Sequence, residues 1–375
     1  MFHTMINLAY FIPNIYVFMR IWQLFINKGY RKYYTIIYLL LALIYPVSNL
    51  FSENSKGFLA TAFIGMGNYI LPFYLYLFLS VLAFDIFLLL NMLFKFIKVE
   101  KLKSTRFKIA GLTSILLLSV VVVVAGVINF NTIRISEYQI EIPAKSSKLS
   151  HLKIAFVADF HLKEKTNVDF VKRFVKRIAT IEPDLMLFGG DIIEGDREDG
   201  KLIVFEKLLS EIRTKYGVFG VLGNHEHYAG EDRGGFFDKA GITVLSDTIE
   251  VIDGSFNLGG RNDSHISSRK AISVLMKSVT DSLPMILVDH RPTELDQVSK
   301  TAVDVQLSGH THDGQLFPIN LITRRVYPLS WGYLKIRNTN FFVTSGIQLW
   351  GPPVRTTGKS EIMVIDITFT KQPLK

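Results

Sequence analysis

The sequence predicts an N-terminal four-helix transmembrane region followed by an α/β sandwich of two sheets, and three observations carry that expectation. Residues 1–130 hold long apolar runs separated by basic loops. From Ser136 the texture changes to charged, alternating segments in which strand and helix first alternate and strands then dominate. The hydrophobic strands also end on clusters of Asp, Asn, His and Gly.

Composition supports the first half of that reading. The chain has 375 residues, 49% hydrophobic, with 29 Phe, 15 Tyr and a mean hydropathy of +0.28, too apolar for one water-soluble domain. There is no cysteine, which excludes thiolate metal sites, disulfides and a cysteine nucleophile. A net charge of +9 would ordinarily suggest a nucleic-acid partner. Yet residues 1–130 carry 11 Lys and Arg against 3 Asp and Glu, and the remainder 31 against 30. The basic excess flanks the apolar runs, and a near-neutral second half is a poor surface for a phosphate backbone, which argues against nucleic acid.

Met5 to Ile26 is the first apolar run, followed directly by Lys28, Arg31 and Lys32. Tyr33 to Phe51 is the second and ends in the polar stretch Ser52 to Gly57. Phe58 to Phe96 is too long for one upright span. The third span is therefore expected over 73–96, with Phe58 to Leu71 as a helical lead-in or re-entrant piece and Asn68 and Pro72 marking the break. Lys95, Lys98, Lys101, Lys103, Arg106 and Lys108 precede the fourth run, 109–130. Four such segments do not fit a cleavable signal. With both basic loops cytoplasmic, an even number of spans must separate them, and the second and third satisfy this. The expectation is a multi-pass protein of the cell membrane whose chain after Asn131 is extracytoplasmic. Arg20 and Asp85, the charges well inside spans one and three, are expected to pair.

Residues 1–130 thus form the membrane region, 131–150 a linker with the strand that leads onward, and 151–375 the catalytic domain. Within the last, Leu152 to Ala158, 185–188, 218–222, 284–288, 303–307, 341–344 and 361–367 read as strands. Val168, Val171, Phe174, Val175 and Ile178 give one helix, and 202–212 another.

Each of five strands then delivers a cluster at its C-terminal end, the edge where open α/β sheets place their sites. These are Asp159-Phe160-His161, Gly190-Asp191, Gly223-Asn224-His225-Glu226, Asp289-His290 and Gly309-His310-Thr311-His312. Singly each has an ordinary reading as a turn, a helix cap or a loop residue. Together, in order, they read as a metal site. Five of the nine histidines fall in these clusters, leaving His3, His151, His227 and His265 as structural or surface residues.

These motifs resemble, in number and order, those of the calcineurin-like metallophosphoesterase superfamily, over roughly residues 150 to 370. The chain looks most like the membrane-anchored branch, with Asp313 where glycine is usual and Glu226 where aspartate often stands. The resemblance implies that Asp159, His161 and His312 hold one divalent ion, Asn224, His290 and His310 a second, and that Asp191 bridges them. It implies that His225 protonates or stabilises the leaving oxygen. Mixed imidazole and carboxylate ligands suit manganese, iron or zinc, and a water held between two ions as hydroxide attacks phosphorus in line.

The expected function is therefore a membrane-anchored two-metal phosphohydrolase cleaving a phosphoester or pyrophosphate bond, with a phosphorylated small molecule or a lipid-linked or envelope phosphate as substrate. Alternatives are a nuclease-type phosphodiesterase and, from another class, a membrane sensor or transporter whose phosphoesterase domain binds ligand without turnover. Arg324, Arg325 and Arg355 are the candidate substrate-binding residues, because 316–325 and 349–355 join apolar side chains to guanidinium groups beside the ligand motifs. The stretch around Phe317 and Ile322 reads either as a loop packed under the second sheet or as a lip dipping into the lipid bilayer.

Overall fold

The computed structural model describes residues 2–51, 57–194, 200–228, 235–279 and 282–371. The polar stretch 52–56 and the side chain of His3 lie outside that description. The chain divides into two compact units, one of residues 1–129 with 351–356, the other of 130–350 with 357–375.

In the first unit the four apolar runs are helices, Phe2–Leu24, Arg31–Ser48, Phe58–Phe94 and Thr105–Asn131. Two of them, Phe58–Phe94 and Thr105–Asn131, are long and apolar enough to cross a membrane, where the sequence suggested four spans. The other two fall short because Asn7, Asn14, Arg20 and Gln23 dilute the first, while the second is 18 residues long and starts on Arg31 and Lys32. The expected break at Asn68 and Pro72 is absent: a single 37-residue helix runs through both. An interior proline removes one backbone hydrogen bond, a loss that membrane helices tolerate when neighbours re-satisfy the carbonyl. At about 1.5 Å per residue this helix is roughly 55 Å long, well beyond the roughly 30 Å hydrocarbon core.

Tyr10, Val17, Ile21, Tyr38, Tyr74, Val81 and Ile115 form the interior of this unit. The phenols carry their polar ends with them: Tyr10 donates to the Ala42 carbonyl at 2.8 Å and Tyr38 to the Asn14 carbonyl at 2.9 Å. Arg20 meets Asp85 with two nitrogens, Nε to Oδ2 at 2.7 Å and Nη2 to Oδ1 at 2.5 Å, and Tyr16 donates to the same carboxylate. Segment 351–356 belongs to this unit, with Arg355 N donating to the Gly126 carbonyl at 3.0 Å and Asn129 Nδ2 to the Arg355 carbonyl at 3.0 Å.

The second unit is a sandwich of two six-stranded sheets. The first has the order β1 (Ile133–Pro143), β12 (Ser360–Thr370), β2 (His151–Val157), β3 (Leu185–Phe188), β4 (Val218–Gly220), β5 (Thr243–Val244). The second has the order β10 (Gly332–Ile336), β11 (Thr339–Val343), β9 (Val305–Ser308), β8 (Met285–Val288), β7 (Phe256–Gly260), β6 (Thr248–Ile252). β2 to β5 pair in parallel, as do β7, β8, β9 and β11. The linker expected over 131–150 is mostly β1, paired in parallel with β12 from Ile133↔Ser360 to Pro143↔Thr370.

Leu152, Ile154, Phe156, Leu185 and Leu187 of the first sheet pack against Leu258, Ile286, Val288, Val305 and Leu307 of the second. The opposite face of the first sheet, with Ala155, Val157, Met186 and Phe188, is covered by helices Val168–Ile181 and Gly200–Leu209. Strands buried on both faces read as continuous apolar runs, which is why β2, β3 and β8 were recognisable from sequence, while β9 showed as the alternation of Val303, Val305 and Leu307. β5, β6, β7 and β10 were not, because they are short or interrupted by Gly and charged residues.

Candidate metal centre

Each ligand candidate follows a parallel strand: Asp159 and His161 after β2, Asp191 after β3, Asn224 and His225 after β4, His290 after β8, His310 and His312 after β9. Both sheets therefore contribute. Among the described residues, three overlapping groups gather ligand atoms within 4.8 Å of one another: Asp159, His161 and His312; His161, Asp191 and His225; and Asp191, His290 and His310.

The backbone is bent to achieve this. Asp159, His161, Asp191, His310 and His312 all have positive φ, between 47° and 70°. Non-glycine residues rarely adopt it, at a cost of about 1–3 kcal/mol each, and it persists where the surroundings over-determine it. Glycines give the carboxylates room. A Cβ on Gly223 would stand 2.2 Å from Asp191 Oδ1, and one on Gly309 2.6 Å from Asp159 Oδ2.

Hydrogen bonds fix which atoms face inward. His290 Nδ1 lies 2.7 Å from the Gly189 carbonyl, which only accepts, so Nδ1 carries the proton. Its Nε2 lone pair then faces Asp191 Oδ2 at 3.1 Å. His161 Nδ1 lies 2.7 Å from Glu194 Oε1, and its Nε2 stands 3.3 Å from His312 Nε2. His312 Nε2 is 3.6 Å from Asp159 Oδ1. Asn224 Oδ1 is buried with no hydrogen-bond donor. Acceptors facing acceptors in a dry site repel unless a proton or cation lies between them. The donor set of three carboxylate, amide and imidazole types thus fits divalent ions, which the residues of the first and third groups, with Asn224, would hold.

The same contacts shift the titration of the buried groups. Burial disfavours a charged His290, but the adjacent Asp191 carboxylate outweighs it and pushes the imidazole up to about 10. Burial would raise Asp191 too, yet His290 and His161 hold it well below the usual carboxylate range. Asp159 is pushed up to about 6 by burial. Burial, with the charge on His290, takes His310 down to about 3.

Two carboxylates were given no role by the sequence reading. Glu194, three residues beyond Asp191, places Oε1 2.7 Å from His161 Nδ1 and 3.0 Å from His225 Nδ1, and Oε2 3.1 Å from Lys163 Nζ. Burial opposes its charge, but the charge and hydrogen bond of His161, the hydrogen bond of His225 and the charge of Lys163 hold its pKa far below the usual range. The only sequence signal was its position on the same strand end as Asp191. Glu226, the residue where the resemblance leads one to expect aspartate, accepts from Asp191 N at 2.9 Å, Ile193 N at 3.0 Å, Gly223 N at 2.7 Å and also Ile192 N. It ties the β3 and β4 ends together, while His225 N donates to Asp191 Oδ1 at 2.8 Å.

The three arginines expected at a substrate rim separate. Arg324 is committed to the buried Asp313, through Nε at 3.2 Å and Nη2 at 3.1 Å. Arg325 is exposed on helix Ile319–Val326. Arg355 is fully buried rather than exposed at a rim, and its segment, 351–356, clusters with the helical unit. The reading of 316–325 as a loop packed under the second sheet also fails, since Leu321 and Ile322 are exposed on that helix.

The calcineurin-like phosphoesterase family profile matches residues 152–314, a span that contains every ligand candidate, His225, Glu194 and Glu226. A metallophosphoesterase of Helicobacter pylori is 33% identical over 230 residues, 59% of this chain and 61% of its own length. One of Aquifex aeolicus is 31% identical over 245 residues, 63% of this chain and 92% of its own. A transmembrane protein with metallophosphoesterase domain from Danio rerio is 24% identical over 265 residues, 66% of this chain and 60% of its own. The match thus spans about three fifths of the Helicobacter and Danio relatives, and most of the Aquifex one. With the matched span holding the whole cluster of strand-end ligands, the chain belongs to the calcineurin-like phosphoesterase family, whose members are metal-dependent phosphoester hydrolases.

Proposed function

We propose that the protein is a membrane-anchored phosphohydrolase that works with two divalent ions, manganese, iron or zinc, and cleaves a phosphoester or pyrophosphate bond. The observation that carries this is the His290 Nε2 lone pair facing Asp191 Oδ2 at 3.1 Å, beside a second pair of inward imidazole nitrogens, His161 and His312 Nε2, 3.3 Å apart. Such a donor set supports Asp159, His161 and His312 at one ion, Asn224, His290 and His310 at the other, and Asp191 between them. When bound, the ions supply the Lewis acidity that neutralises phosphoryl charge and activates water.

The chain's own residues do the rest. Glu194 holds His225 by Nδ1, so Nε2 is the nitrogen that delivers a proton to the leaving oxygen. Glu226 and the strained strand ends keep the ligands in place before substrate arrives, which lowers the reorganisation needed at reaction.

The anchoring part of the proposal is that all four helices of the first unit lie in the bilayer. Leu39, Leu40 and Leu43 on Arg31–Ser48 and Ile12 and Ile15 on Phe2–Leu24 are exposed, as lipid-facing side chains would be. Arg20 and Asp85 satisfy each other inside. With Phe58–Phe94 one crossing, two spans separate the basic loops at 28–32 and 95–108, which supports cytoplasmic loops and an extracytoplasmic phosphoesterase unit. The name of the Danio rerio relative supports a membrane setting.

The test is to purify the full chain in detergent, load it with each metal, and compare hydrolysis of a monoester, a diester, a pyrophosphate and a lipid phosphate. Turnover of at least one that is abolished by chelator and restored by metal is expected. No turnover on any, with metal bound, would favour the sensor or transporter reading instead.

A further inference from the structure

Directly after His312 the chain runs through Asp313 to Pro318 into helix Ile319–Val326. A short surface helix ordinarily turns its apolar stripe inward and its polar side to water. This one is inverted. Asn320 is the residue it buries, whereas Ile319, Ile322 and Val326, spaced i, i+3, i+7, are 43%, 66% and 65% exposed. Leu321 widens the stripe on the outer side, and Arg324 and Arg325 sit in the last turn.

The exposed stripe is not loosely attached. Asp313, fully buried, accepts from Arg324 at two nitrogens and from Ser330 Oγ at 3.0 Å, while its carbonyl accepts from Thr357 Oγ1 at 2.8 Å. A glycine at 313 could supply the backbone contact but not the ion pair. The helix is thereby locked to the residue next to a ligand candidate, with its apolar side held outward.

We propose that this helix is interfacial: it lies in the headgroup boundary of the bilayer that the helical unit spans, with Ile319, Leu321, Ile322 and Val326 in the acyl boundary and Arg325 on a headgroup phosphate. It rests on the membrane-anchored reading above and deepens it, because a helix locked both to the ligand loop and to the bilayer surface favours substrates whose phosphate is itself on a lipid. The occupant is a lipid surface for two reasons on the chain. The apolar helix Thr105–Asn131 is followed after one residue by β1, leaving no spacer between span and sandwich. Segment 351–356, which lies in sequence between β11 and β12, hydrogen-bonds to the last turns of that same helix, so the chain enters the helical unit a second time.

The chain has no cysteine, so single cysteines can be spin-labelled in the otherwise unaltered full-length protein. Ile322→Cys and Val326→Cys are compared with Val251→Cys, an exposed position on β6, and Leu117→Cys, an exposed position on helix Thr105–Asn131. Each is reconstituted in vesicles of phosphatidylcholine and phosphatidylglycerol, and collision with oxygen is measured against collision with a water-soluble nickel chelate. The expected result is an oxygen-to-nickel ratio at 322 and 326 severalfold above that at 251 and approaching that at 117. Aqueous ratios at 322 and 326 with a lipid ratio at 117 would overturn the interfacial helix and leave the anchor standing. An aqueous ratio at 117 as well would overturn the membrane reading. Dipolar broadening between labels at 322 would mean that a second copy covers the stripe, and would also overturn the proposal.

Discussion

Glu194 Oε1 lies 3.0 Å from His225 Nδ1, and the same oxygen lies 2.7 Å from His161 Nδ1. One carboxylate therefore orients both the candidate proton donor and a candidate ligand. Partners of this kind typically cost about 10–100-fold in activity or metal affinity when removed. Glu194→Gln is expected to lower kcat by that order while both ions are retained, since neither ligand atom is lost. His225→Ala is expected to cost about 10²–10⁴-fold in kcat, again with both ions kept. Metal analysis beside steady-state kinetics checks both; loss of an ion from His225→Ala would make His225 a ligand.

The charge arrangement of the metal-free site sets a pH dependence with a definite sign. His290 is pushed from 6.5 up to about 10, so its contribution to stability is complete below pH 6.5 and is lost as pH rises through 10. Asp159, raised from 3.8 to about 6, acts in the same direction, favouring the fold below its ordinary value and less as pH passes 6. Asp191, lowered by the same contact with His290, adds no slope above pH 6. Chelator-treated protein should therefore show a Tm that falls from pH 6 to pH 10. Metal-loaded protein should not, because the cation takes the place of the proton. A flat profile for the chelated protein contradicts the assignment of His290 and Asp191 as a facing pair.

Glu226 collects four backbone amides from the β3 and β4 ends. Leaving buried donors without an acceptor costs about 1–3 kcal/mol each. Glu226→Ala should thus destabilise the sandwich by at least about 3 kcal/mol, allowing for water entering the space, and should weaken metal binding at Asp191. Glu226→Asp, one methylene shorter, should retain part of both. Denaturant unfolding of detergent-purified variants measures it, and an unchanged Glu226→Ala midpoint would remove Glu226 from the site's support.

Arg20 and Asp85 are 65 residues apart in sequence and join through two nitrogens and two oxygens. Removing either partner leaves a charge unpaired among apolar helices, and removing both does not. Arg20→Leu and Asp85→Leu should each lower folded yield severalfold, with the double variant recovering most of it. If the double variant is as poor as the singles, the pair does not act as a pair.

Much of the site was legible because its strands are buried on both faces. Val157, Phe188 and Val288 close unbroken apolar runs, so the polar residues after them stand out. The roles of Glu194 and Glu226 were not legible, because a carboxylate that hydrogen-bonds to backbone or imidazole has no sequence pattern of its own. Pro72 misled because its usual effect in water is offset among packed membrane helices. Arg355 misled because nothing local in 351–356 says that the segment leaves the sandwich; that depends on the Gly126 carbonyl, 229 positions away in the chain and absent from any local pattern.

Whether Asp191 joins a pair of divalent ions is read out by the magnetic coupling between two bound manganese ions. Two ions about 3.5–4 Å apart are exchange-coupled. Full-length protein loaded with two equivalents of Mn(II) should give the multiline electron paramagnetic resonance spectrum of a coupled pair, and Asp191→Asn should collapse it to the six-line signal of isolated ions. An isolated-ion spectrum from the unaltered protein, with the second equivalent remaining in solution, would rule out a two-ion centre at Asp191.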